Sequence, residues 1–127
     1  MDIIERIRDY LSEEGYRPKV DEDGDIQFKA QGLTLWCTGD KDDPQYFRII
    51  MPNIYTVEGN RTKVLEAINT VCRDRKVVKA FLVENSLWIA VELFASEDSN
   101  VGEYFDRLVN VVLQTREIIA HEIFKED

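Results

Sequence analysis

The side chains able to do chemistry in this chain are few and scattered. A single histidine, His121, stands near Glu117 and Glu122 toward the C-terminus, with no serine or cysteine close in sequence to serve as a nucleophile. It reads as a partly exposed helix residue. The two cysteines, Cys37 and Cys72, fall one in a strand-like run and one in a helix-like run, so neither a zinc knuckle nor a redox pair is spelled. Both are expected to pack as small buried apolar groups. Asp21-Glu22-Asp23-Gly24-Asp25 carries alternate carboxylates of the kind that converge on a hard cation. A calcium loop starting at Asp21 would want glycine at its sixth place and glutamate at its twelfth, where Ile26 and Gly32 stand. This run, like Asp40, Asp42 and Asp43, therefore reads as a solvated turn. Isolated turn glycines replace any glycine-rich phosphate loop, and neither a bound metal nor a cofactor is expected.

Charge offers two further candidates. Arg61, Lys63, Arg73, Arg75, Lys76 and Lys79 fall in a stretch with only two acids, Glu66 and Asp74, inside a chain of net charge -9. Arg73, Arg75 and Lys76 suit the negative end of the helix they follow, whereas Arg61 and Lys63 sit in its first turn, where the dipole disfavours cations. An anion or an acidic partner surface would compensate them there. Exposed aromatics do not interleave with these bases, so no nucleic-acid partner is expected. Glu92 is the one charge in Leu87–Phe94, where burial without a partner would cost several kcal/mol. It is expected exposed or at a rim, with Arg48 and Lys79 the cations in reach if it is covered.

The elements that must position these groups follow from periodicity. Ile3, Ile4, Ile7 and Leu11 mark a helix over about 2–14 that ends at Gly15. Ile26-Gln27-Phe28-Lys29-Ala30 and Leu33–Cys37 alternate around Gln31-Gly32, a hairpin signal. A polar break over Gly39–Pro44 precedes Tyr46–Met51, whose apolar density suggests a strand covered on both sides that bulges, ends or lies at an edge at Pro52. A helix over about 60–74, a hairpin of Val77–Val83 with Leu87–Phe94, and a long, very apolar last helix complete the order. The expected fold is α+β, α-β-β-β-α-β-β-α, an antiparallel sheet packed with helices in a single domain over 1–127. At 44% apolar and 32% charged residues the composition is that of a globular protein. Its mixed-charge start and lack of a long apolar run point to the cytoplasm and no membrane partner.

The segment Arg61-Thr62-Lys63-Val64-Leu65-Glu66-Ala67-Ile68-Asn69, leading through Lys79-Ala80-Phe81-Leu82 to Leu87-Trp88-Ile89-Ala90-Val91-Glu92, resembles the YbjN-like family. These small bacterial proteins share the architecture of type III secretion chaperones and are described as sensory transduction regulators. As sequence texture the likeness covers about residues 59–113, and as an order of elements most of the chain. It implies that fold and a tendency to dimerise, and it carries no catalytic residues to transfer.

Apolar surplus points the same way. Trp88, Ala90 and Phe94 make even the second face of Leu87–Phe94 mostly apolar, so helices or another chain must cover it. The function expected is a non-enzymatic, chaperone-like or regulatory module that binds a protein segment, as a homodimer contacting through the second or third helix or the hairpin. Arg48, Trp88, Glu92, Arg61 and Lys63 are its candidate binding residues. The alternative is a small-molecule sensor or small enzyme with a pocket between sheet and helices, where Arg48, Tyr55 or Glu92 would be buried.

Overall fold

A computed structural model of the chain describes residues 2–126. Helix α1 (Ile3–Glu13) starts at Asp2, whose carboxylate accepts the Glu5 N–H at 2.9 Å, and buries Ile3, Ile7 and Leu11 along one stripe. Beyond its end Gly15 takes φ 83°, the left-handed conformation glycine adopts most cheaply. Strands β1 (Lys19–Val20), β2 (Ile26–Ala30), β3 (Leu33–Asp40) and β4 (Asp43–Thr56) follow, then α2 (Arg61–Asp74), β5 (Val78–Val83), β6 (Ser86–Phe94), a 3-10 turn at Val101–Glu103 and α3 (Phe105–Phe124). The expected order holds, with the two-residue β1 added at one edge.

The sheet is antiparallel throughout, in the order β1-β2-β3-β4-β6-β5. Gln31 and Gly32 both have positive φ, 52° and 77°, so the β2–β3 turn is the two-residue kind whose twist suits a hairpin. The polar break after Gly39 is shorter than its composition suggests. Asp40 pairs with Asp43, and the Asp40 carboxylate accepts the Asp42 N–H at 2.9 Å, so the side chain itself closes the turn. Pro52 does not end its strand: β4 runs on as a central strand, with a register shift between Met51 and Tyr55 and Asn53 at φ 56°.

All three helices lie on one face of this sheet. Ile3, Ile7 and Leu11 of α1, Val64, Ala67 and Val71 of α2, and the apolar stripe of α3 form one buried cluster with Ile26, Phe28, Leu35, Cys37, Phe47, Ile49, Leu87, Ile89 and Val91. These strand residues alternate, so their neighbours in sequence point the other way. Sequence reasoning placed cover on both sides of β4 and β6; the structure puts helices over one side only. No helix among the described residues is long and apolar enough to cross a membrane.

Candidate functional site

The helix-free face of the sheet carries the unusual chemistry. Paired residues of antiparallel strands share a face, so register alone lays out a row across all six strands: Lys19, Gln27, Trp36, Ile50, Ala90, Lys79. At about 4.8 Å per strand the row spans roughly 24 Å. Beside it Phe81 pairs with Trp88, ring centroids 6.1 Å apart, and Lys29 pairs with Thr34. Ile50 is 6% exposed and Ala90 0%, although no helix lies above them. In the register both stand among longer side chains of the same face, those of Trp36, Trp88, Arg48 and Lys79. What the face presents is therefore a half-buried aromatic strip of Trp36, Trp88 and Phe81. Both tryptophans of the chain are in it. The Trp88 Nε1 is buried and has no hydrogen-bond partner among the described residues.

On the other side of the row, Arg48 sits opposite Thr38 on β3 and Glu92 on β6, and donates from Nε to Thr38 Oγ1 at 2.9 Å. Glu92 pairs with Lys79 at 2.5 Å and accepts a hydrogen bond from the Tyr46 hydroxyl. Both cations named from sequence are beside it, and its side chain, 31% exposed, is at the rim. The Lys79 bond and the Tyr46 bond hold its carboxyl below the usual range. Burial and the bond to Glu92 push the Tyr46 hydroxyl up to about 12. Lys79 also lies 5.3 Å over the Phe81 ring.

Glu92→Gln is expected to cost about 0.5–1 kcal/mol at neutral pH, the range for an ion pair open to solvent. Because the folded carboxyl is depressed, that contribution is full above its ordinary value of 4.5 and disappears as pH falls through the folded value. Denaturant midpoints of wild type and variant should separate at pH 7 and converge below pH 4.5.

The other sequence candidates lie elsewhere. Arg61 and Lys63, on the helical side, already have partners: Arg61 donates to Asn85 Oδ1 at 3.2 Å, and Lys63 donates to the carbonyl of Lys125, the residue capping α3. The cation that α2's first turn disfavours thus meets the negative end of α3. Arg75 crosses from the end of α2 to Thr115 Oγ1 and Gln114 Oε1 of α3, at 3.0 and 3.2 Å. Tyr55 is half-buried, accepts a hydrogen bond from Asn60 and stacks edgewise on Phe124. Arg48 and Glu92 are on the helix-free face, outside the space between sheet and helices; Thr115 is the one buried polar residue among those described.

Cys37 is buried as expected, but Cys72 is exposed. Its sulfur accepts the Ala80 N–H at 3.3 Å and lies 3.6 Å from the Ala80 carbonyl, capping backbone groups on the outer edge of β5. Asp21, Asp23 and Asp25 bring carboxylate oxygens within 4.8 Å of one another. Asp21 Oδ1 is engaged in its own turn, accepting the N–H groups of Asp23 and Asp25. His121 is exposed on α3.

Sequence reasoning named Arg48, Trp88 and Glu92 but missed Trp36, Phe81, Lys19 and Lys29. The two-residue turn at Gln31-Gly32 does fix Gln27 opposite Trp36; the miscounted β3–β4 turn hid that Trp36 meets Ile50.

The family model TY-Chap1, described as "T3SS (YopN, CesT) and YbjN peptide-binding chaperone 1", matches residues 2–122. No curated protein matches the sequence. Among solved structures, an uncharacterized protein from Methanothermobacter thermautotrophicus is similar with a TM-score of 0.67 at 18% identity, over 94% of each chain. YbjN from E. coli is similar with a TM-score of 0.66 at 12% identity, over 94% of this chain and 92% of that one. The Yersinia pestis type III secretion chaperone SycH, solved in complex with a stable fragment of YscM2, is similar with a TM-score of 0.62 at 10% identity, over 91% and 97%. At such identities the structures establish the shared fold.

Proposed function

We propose, from the premise that this chain belongs to the TY-Chap1 family of peptide-binding chaperones, that it holds an apolar segment of a partner protein on its helix-free sheet face and turns over no substrate. The observation that carries this reading is the aromatic strip of Trp36, Trp88 and Phe81 on a sheet face no helix covers. Aromatic rings supply large apolar contact at little cost in conformational entropy. Arg48 and Glu92 border the strip and are the polar contacts in this reading; Arg61 and Lys63, engaged on the helical side, are given no part in it. The test is a peptide array of candidate partner sequences, probed with wild type and with a variant carrying Trp36→Thr and Phe81→Thr. The two replacements keep good strand formers at half-buried positions, and circular dichroism checks that the variant folds. Peptides retained by wild type should be lost by the variant; equal retention would put the binding surface elsewhere.

We further propose a homodimer. Leu65 of α2, Ile118 of α3 and Val83 of β5 are exposed apolar residues at 46%, 37% and 42%, on the elements where a contact is expected. Light scattering after size exclusion at micromolar concentration should give about twice 14.8 kDa. A monomer at every concentration would contradict it.

A further inference from the structure

We infer that the cavity between the C-terminal half of α3, the end of β4 and the start of β6 binds a small free carboxylic acid, apolar tail inward and carboxylate on Arg116. The site lies on the helical side of the sheet and stands apart from the reading of the open face. The cavity is about 250 Å3, below the roughly 300–1,000 Å3 of pockets that take drug-sized ligands, so it admits one short apolar group. Its floor is made by Leu87, Ile119 and Ile123, all buried, with the half-buried Ile54 beside them. Tyr55 and Phe124 wall it with rings set edgewise, 5.6 Å between centroids, and Phe124 is 68% exposed at the last residue of α3. A large aromatic is thus left in water beside a hollow, where an apolar ligand would cover it. The one charged residue of the lining is Arg116. It is exposed and enters no ion pair among the described residues. Glu117 follows it, but adjacent positions on a helix do not face each other, and Glu122 is held by Lys125 at 2.5 Å. A lone guanidinium matches a singly charged, planar carboxylate, to which it can donate two parallel N–H bonds. A peptide's end fits less well. The amide N–H of a terminal residue needs an acceptor beside its carboxylate, and among the lining side chains only the Tyr55 hydroxyl, already held by Asn60, could serve. A free acid has no such donor.

The test titrates the protein with octanoate, below its micellar concentration, and with 1-octanol, the same tail without the charge. Binding is followed by the methyl resonances of Ile54, Ile119 and Ile123. These should shift together and saturate, while the indole signals of Trp36 and Trp88 on the open face stay in place. Octanoate should bind about fivefold more tightly than octanol, the size of one ion pair open to solvent. In Arg116→Gln, an exposed position outside the core, the two should bind equally. In Ala120→Leu, where a larger side chain on the lining fills the hollow, neither should bind. Circular dichroism checks that both variants fold.

Absence of saturable methyl shifts, or equal binding of octanoate and octanol by wild type, would overturn the inference. So would a preference for octanoate that survives Arg116→Gln. Tighter binding of a short peptide with a free C-terminal leucine, at the same methyls, would overturn the free acid in favour of a chain end. Shifts confined to Trp36 and Trp88 would place the acid on the open face and overturn the site. None of these results touches the reading of the open face, whose variant, Trp36→Thr with Phe81→Thr, alters no residue of this cavity.

Discussion

Phe105→Ala is expected to remove about 3–5 kcal/mol of folding stability, the largest single loss predicted for this chain. Phe105 opens α3 fully buried, with its ring 5.6 Å from Tyr10 of α1 and 5.7 Å from Phe28 of β2, and Phe28 in turn stands edge-on to Tyr16 at 5.9 Å. One ring thus joins the first helix, the sheet and the last helix. Truncation removes its buried area, leaves a cavity between rigid elements, and breaks two aromatic pairs worth about 0.5–1.5 kcal/mol each. Domains of this size are stable by about 5–15 kcal/mol, so the loss is a large share. The denaturant midpoint should fall steeply at unchanged slope, and Phe105→Leu should recover more than half the loss. A drop under 1 kcal/mol would show that the cluster does not tie the three elements together.

Arg6→Met is the second large effect, expected at about 2–3 kcal/mol. The guanidinium leaves α1 and reaches the link between β6 and α3, donating to the carbonyls of Ser96, Glu97 and Ser99 at 3.0, 3.2 and 2.9 Å. Its Nε is buried without a partner among the described residues, so its donors are not all used. Three charge-assisted bonds to one turn outweigh that cost. Methionine keeps the apolar stem and loses the fork. Lysine, a point charge that cannot span three carbonyls, should restore under half of the stability. Amide exchange in residues 96–104 should accelerate more than elsewhere in the Arg6→Met protein, because the pinned link opens locally.

Arg6 illustrates where the sequence is silent. Its position in the first helix is readable from the spacing of Ile3, Ile7 and Leu11, but nothing in that spacing says that its target is a loop some ninety residues later. Local signals read well: the Gly15 stop and the Gln31-Gly32 turn each depend on a few adjacent residues, and Pro52 marked an irregularity in its strand without saying which kind. What did not read was how the sheet is covered. An apolar second face on β4 and β6 is compatible with helices on both sides or with an open face that carries the tryptophans, and only the pairing of β3, β4 and β6 and the placement of the helices decide between them. Cys72 is a similar case. Its helical position suggested burial, yet the edge of β5 runs beside it and offers backbone groups that a sulfur can cap.

The candidate site was half legible for the same reason. Trp88 and Glu92 share a strand, and alternation alone puts them on one face; Trp36 and Phe81 reach that face through pairings set by turns. The neighbours of Glu92 were nameable because opposite charges on adjacent strands are few.

The central claim is that the open sheet face holds the partner segment, and the indole N–H resonances of Trp36 and Trp88 test it most directly. In a nuclear magnetic resonance titration with an apolar peptide that the protein retains, both indole signals should shift together and saturate, with Trp88 moving most because its buried Nε1 has no partner to anchor it. Methyl groups of the helices' outward faces should stay in place. Saturable shifts confined to helix residues, with both indole signals unmoved, would contradict the account.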